Sequence, residues 1–155
     1  TNIADVNRAK RELERLKRIA KAEGVWDSTV DGPSAGRFRD EIAKLEVDIV
    51  ALEMLVLRVL SAEKSGKNSL DIAGLLKIRG SEIQQRYTEL MMQAAGPFAL
   101  PFIFEAMEAG WQGNFPGGAV ANAPLASNYF NMRKTTIYGG SNEVQRNIVS
   151  QTVLG

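Results

Sequence analysis

Apolar residues along this chain recur at helical spacing, and no useful stretch alternates with period two. The first segment places Ile3, Val6, Leu13, Leu16 and Ala20 on one stripe, with Arg and Lys elsewhere. That amphipathic pattern predicts a helix over 3–23, ended by Gly24, a common residue just past a helix end. Val25 to Gly36 reads as a loop, with Asp31-Gly32-Pro33-Ser34 as its turn. The second helix has the cleanest periodicity: Phe38, Ile42, Leu45, Ile49, Leu52, Val56 and Val59 step by four and three. Val47, Val50, Leu55, Leu57 and Leu60 widen the stripe and predict a helix buried on more than one side. Over 37–64 it would be about 40 Å long at about 1.5 Å per residue. Helices of that length usually sit in bundles, where neighbours cover their flanks.

The short connection Ser65-Gly66-Lys67-Asn68 predicts an antiparallel third helix. It starts at Ser69 as N-cap, with Asp71 in the first turn where negative charge is favoured, and stops at Gly96-Pro97. Its core stripe is Ile72, Leu76, Ile83, Tyr87, Leu90 and Ala94. Gly74 and Gly80 each cost about 1 kcal/mol against alanine inside a helix, which predicts close contact with a neighbouring helix. An apolar segment over 98–110, interrupted by Pro101, reads as a short helix. A Gly-, Asn- and Pro-rich loop over 111–124 follows, of the length that tends to be functional or mobile. A short helix over 125–133 and a last one over 141–154 complete the chain. The fold class is all-α, an antiparallel helical bundle with two long central helices plus shorter ones, and no internal repeat is visible.

The length of 155 residues suits one domain. A formal charge of +1 gives no strong attraction to nucleic acid or to an acidic membrane. The basic run Arg8, Lys10, Arg11, Arg15, Lys17, Arg18 and Lys21 is interleaved with Asp5, Glu12, Glu14 and Glu23 and lacks aromatic partners. It reads as a solvated face, or one contacting another domain, with Glu14 and Arg18 at supportive spacing. The mostly apolar stretch 49–60 is broken by Glu53 and Arg58 and is too short to span a bilayer. The chain has no cysteine, which excludes disulfides and thiolate chemistry and is compatible with a cytoplasmic location. It also has no histidine, which removes the commonest catalytic base and transition-metal ligand. The carboxylates of Glu41, Glu46, Asp48 and Glu53 are spread around a helix rather than gathered for a metal. The chain opens on Thr-Asn-Ile-Ala without methionine and enters a helical pattern at once, so we expect a piece of something longer.

Two polar loops remain. One is Gln93-Ala-Ala-Gly96-Pro97-Phe98, which by itself is a helix stop. The other is Ile137-Tyr-Gly-Gly-Ser-Asn-Glu-Val-Gln-Arg-Asn-Ile148. Gly139 and Gly140 can take positive φ or admit a close approach to the backbone. Ser141 or Asn142 can cap the helix that follows, whose first free N–H groups favour anionic or carbonyl partners. Taken alone, the string describes either a capped helix after a tight turn or a loop that docks a ligand at a helix start.

As a string, it resembles the closing signature of the FAD-dependent acyl-CoA dehydrogenases. The order of helices is similar to that family's C-terminal all-α domain. Leu76-Lys-Ile-Arg-Gly-Ser-Glu-Ile-Gln-Gln85 and Asn128 to Glu143 look like the large chain of pimeloyl-CoA-type dehydrogenases. The resemblance implies a larger flavoenzyme of fatty acid metabolism, bacterial and acting on medium or dicarboxylic acyl-CoAs. Its N-terminal helical and middle β domains would precede residue 1. It implies α,β-dehydrogenation of an acyl-CoA thioester, FAD bound between domains and subunits, and electron-transferring flavoprotein as acceptor. It also implies a homo-oligomer, dimer or tetramer.

On this sequence it points to Gln93 and Gly96 in one FAD loop, and to Gly140, Ser141, Glu143 and Gln145 in the other. Pro97 replaces a second glycine of the first loop, Glu143 a frequent glutamine, and only Arg133 survives of the usual lead-in. The turn between the first two helices that reaches a partner's FAD is replaced by Val25 to Gly36. The family's catalytic glutamate falls on Gly139, which cannot accept a proton, so this segment carries no recognisable base. Some branches supply that glutamate from a preceding helix. The competing class is a non-enzymatic helical-bundle interaction module. A flavin-free dehydrogenase relative kept as a scaffold is a third possibility.

Overall fold

The computed structural model describes residues 4–26, 33–65, 70–113 and 122–154. Asp5 begins the first helix, α1 (Val6–Ala22): its carboxylate accepts from the Arg8 backbone N–H at 2.9 Å, satisfying one of the donors a helix start leaves free. Glu23 closes the helix and Gly24 follows at φ 74°, the left-handed geometry that glycine adopts without strain. The second helix, α2 (Pro33–Lys64), starts four residues before the expected 37. Proline suits a first helical turn because its missing N–H would be unpaired there anyway. Pro33 therefore opens a helix instead of lying in a turn; residues 27–32 of the expected loop lie outside the described residues, as do 66–68 of the second connection, Ser69, and 114–121 of the loop expected over 111–124.

The third helix, α3 (Leu70–Ala95), packs against all the others. Leu16 and Ile19 of α1 and Ile42, Leu45, Ile49 and Leu52 of α2 meet Ile83, Tyr87, Leu90 and Ala94 of α3 in one core. Two short elements finish the bundle, α4 (Leu125–Met132) and α5 (Asn142–Leu154), the latter lying on α3. Among the described residues every regular element is helical, as the periodicity predicts.

Both helix-interior glycines of α3 face neighbours. A methyl at Gly74 would stand 2.9 Å from Val149 Cγ2 of α5. Gly80 is buried and lines a narrow cleft with Asp5, Ala9 and Leu52. Two expectations fail. Val47, Val50, Leu57 and Leu60 are 68%, 49%, 52% and 48% exposed, so α2 is covered on one face only. That face is taken by α1 and α3, and among the described residues none covers the opposite one. The 98–110 segment forms no α-helix. It makes two single 3₁₀ turns, Gly96–Ala99 and Phe104–Met107, with Phe98, Leu100, Phe102 and Phe104 exposed. Pro101 removes a backbone donor inside the stretch and Pro97 stands just before it, which outweighs its hydrophobicity.

Candidate functional site

The two-glycine string folds as an exposed turn at the start of α5. After α4 a 3₁₀ turn, Arg133–Thr136, leads to Ile137 and Tyr138, which are 69% and 44% exposed. Gly139 and Gly140 both take positive φ, 68° and 86°, a region that strains any L side chain. Ser141 caps α5: its Oγ accepts from the Val144 N–H at 3.4 Å, and its carbonyl accepts from Gln145 N at 3.0 Å. The Glu143 carboxyl is held below the usual carboxylate range, first by its own backbone N–H and then by the Ser141 hydroxyl. Negative charge in a first helical turn is favoured by the dipole as well.

Asn142 does something else. It is buried and turns inward, where its Oδ1 accepts from Lys77 Nζ at 2.6 Å and its Nδ2 donates to Ser81 Oγ at 3.1 Å. Lys77 also donates to the Thr136 carbonyl at 3.1 Å. One α-helical turn past Ser81, Gln85 Nε2 donates to the carbonyls of Met132 and Arg133 at 3.3 and 3.1 Å. Lys77, Ser81 and Gln85 thus form a polar stripe at four-residue spacing, one above the other on α3. It receives the backbone of α4, the turn and the start of α5. Arg133, the retained lead-in arginine, returns a bond to the Gln85 carbonyl at 3.0 Å and stacks over Tyr129, 4.3 Å from its ring centre.

Gln145 folds back over the turn. A Cβ built on Gly140 would lie 2.6 Å from its Nε2, and one on Gly74 would lie 3.2 Å from its Oε1. Gly140, Ser141, Glu143 and Gln145 are therefore gathered at one place. Gln93 and Gly96 are not with them. Gln93 is exposed near the end of α3, and Gly96, at φ 63°, opens the 3₁₀ turn that Pro97 continues. Sixteen residues separate Gln93 from Lys77, about 24 Å along a helix. The two loops form separate patches.

A charged cleft of about 280 Å³ opens between α2 and α3, lined by Glu41, Lys44, Asp48, Arg79, Glu82 and Arg86. Its charges answer one another: Glu41 binds both Lys44, at 2.6 Å, and Arg86, and Arg79 reaches Glu82 at 3.3 Å. Little field remains to attract a ligand. Part of the basic run of α1 is likewise answered, by Lys10 to Glu53 at 2.7 Å and Lys17 to Glu14 and Glu46 at 3.2 and 3.3 Å. Glu14 takes Lys17, one residue nearer than Arg18. No group of three or more acidic ligands gathers for a metal among the described residues, and none of their helices is long and apolar enough to cross a membrane.

The turn offers backbone N–H groups at a helix start and a hydroxyl, with Gln145 packed against Gly140. It offers no proton acceptor at Gly139, and Glu143 is exposed and committed to capping. Such a surface can bind and orient a ligand. Of the residues that build it, Lys77, Ser81 and Gln85 are not singled out by the sequence reading. Their four-residue polar spacing, inside a helix otherwise rich in core residues, is the signal that could have found them.

No curated protein matches the chain. A solved structure described as the electron transferring flavoprotein of Acidaminococcus fermentans, in work on flavin-based electron bifurcation, is similar over 96% of this chain, with 19% identity and a TM-score of 0.59. This chain covers 36% of that one, and the likeness is one of fold. Residues 5–154 match the sequence model of the acyl-CoA dehydrogenase C-terminal domain, and the chain belongs to that family.

Proposed function

We propose that this chain is the C-terminal helical domain of a flavin-dependent acyl-CoA dehydrogenase, of the pimeloyl-CoA type in its large chain. In that role it forms one wall of an FAD site and takes part in subunit assembly. The family match supports the reading, together with an exposed two-glycine turn where the signature string falls. That coincidence of sequence and geometry carries the proposal.

The residues present fit part of a flavin dinucleotide and not its reacting end. Gly140 and Ser141 present backbone donors beside the positive end of α5, suited to carbonyl or phosphate oxygens. Glu143 sets the cap and Gln145 props the turn. Gln93 and Gly96, at the far end of α3, would touch another part of the dinucleotide, or one bound mainly by a neighbouring copy. When bound, FAD supplies the hydride acceptor. The carboxylate that removes the Cα proton from the acyl-CoA lies outside this domain, because Gly139 stands at the usual position. The electrons would leave through an electron-transferring flavoprotein. The outward apolar face of α2 is the surface we assign to a dimer or tetramer of this chain, in the cytoplasm.

The test is to purify the full-length gene product. We expect flavin absorbance that is bleached anaerobically by a medium-chain or dicarboxylic acyl-CoA. A colourless product unchanged by any acyl-CoA overturns the reading. Glycine at the base position favours one alternative, a flavin-free interaction or scaffold module. It would appear as colourless protein that retains a helical partner.

A further inference from the structure

We propose that Lys77 is a positioning residue for the two-glycine turn, clamping both of its ends at once. The role rests on reading that turn as a flavin-facing surface. Thr136 precedes the turn and Asn142 follows it, and a single ammonium bonds both, at 3.1 and 2.6 Å. A lysine has three donors on one nitrogen, so the distance across the turn is set by how two acceptors converge on one point. Ser81, bonded to Asn142, prevents that side chain from swinging out to compete for the cap of α5.

The arrangement is costly, and the cost indicates what it does. Lys77 is only 9% exposed, and both of its hydrogen-bond partners are neutral. Burial pushes its pKa down; among charged groups Glu143 acts on it through space to oppose that, without a hydrogen bond. The ammonium also lies beside the positive end of α5, where a cation is disfavoured. A methionine would fill the same space without desolvating a charge. Packing alone therefore does not explain lysine here. What an apolar side chain cannot do is hold a carbonyl and an amide oxygen at fixed separation on either side of five residues that carry their own positive-φ pair. Local disadvantages of this kind concentrate where geometry serves a site.

The experiment compares Lys77→Met and the double variant Lys77→Met/Asn142→Leu with the unaltered full-length protein. Three quantities are read: thermal stability, the dissociation constant for FAD added to stripped protein, and amide hydrogen exchange over 137–145. Lys77→Met should weaken FAD binding by about tenfold or more, the scale of losing hydrogen bonds to a charged group. It should also speed exchange in the turn while α1 and α2 keep their protection. The double variant removes both members of the buried pair, so it should regain thermal stability without regaining FAD affinity or turn protection. A merely structural lysine would show all three recovering together, and that result overturns the proposal. So does a Lys77→Met protein with unaltered turn exchange. If the unaltered protein takes up no FAD, the proposed function fails separately, and exchange in the turn alone decides the clamp.

Discussion

Replacing Gly74 by alanine sets helix propensity against packing, and the structure says which wins. Inside a helix alanine is favoured over glycine by about 0.5–1 kcal/mol. The new methyl would lie 2.9 Å from Val149 Cγ2, 3.2 Å from Gln145 Oε1 and 3.6 Å from the Gln145 carbonyl. Gln145 can move its amide. Val149 cannot easily yield, because a β-branched side chain in a helix has one strongly preferred rotamer. Relief must come from α5 shifting away from α3, and overpacking of this kind costs about 1–3 kcal/mol. The balance is a destabilisation of about 1 kcal/mol, or about 3 °C in melting temperature for a domain of this size. Urea unfolding followed by far-ultraviolet circular dichroism measures it. The same substitution in a Val149→Ala background should instead stabilise, by about 0.5–1 kcal/mol, because the obstructing methyls are gone and propensity remains. A Gly74→Ala protein more stable than its parent, or equal effects in both backgrounds, would show that α5 does not rest on that glycine.

Gly140→Ala should cost about 1–2 kcal/mol because its φ of 86° is left-handed. Adding Gln145→Ala should not restore it, since the Gln145 amide 2.6 Å from the new methyl can rotate away; recovery in a denaturant titration would place the cost in the clash. Tyr87 is buried, its hydroxyl meets Arg8 without well-formed hydrogen-bond geometry, and burial raises its pKa. Tyr87→Phe should therefore be neutral or stabilising by up to about 1 kcal/mol, and a clear loss of melting temperature would reveal a partner for that oxygen. Burial lowers the Lys77 pKa from 10.5, so above its folded value and up to 10.5 the unfolded chain binds more protons. Stability from this group then climbs with pH in that window. Lys77→Met should lack the climb, and parallel curves of melting temperature against pH for the two proteins would contradict it.

The helices were legible because their causes lie within a turn or two of each residue. The four-and-three stepping of Ile42, Leu45, Ile49 and Leu52 names a buried face before any neighbour is known, and these residues are 1–2% exposed. Gly24, Gly139 and Gly140 announced left-handed backbone, and all three take it. Hydrophobicity over 98–110 misled, because Pro101 withdraws a donor that a helix there would need. The second apolar stripe of α2 was correctly apolar, but periodicity says only that a face is greasy, not that this chain covers it.

The candidate site divides along the same line. From sequence, Ser141 and Asn142 were equal as caps, since both residue types accept from a helix start. The choice was made from α3: Lys77 and Ser81, 65 and 61 residues away in the chain, draw Asn142 inward and leave Ser141 to cap. The resemblance assigned Gln93 and Gly96 to one FAD loop and the terminal residues to another, and the length of α3 holds the two about 24 Å apart. Sequence alone therefore determined the main helices and the shape of the glycine turn, both set by short-range sterics and hydrogen bonding. Tertiary structure alone decided which polar groups meet, because that depends on how a buried lysine satisfies its donors once five helices have packed.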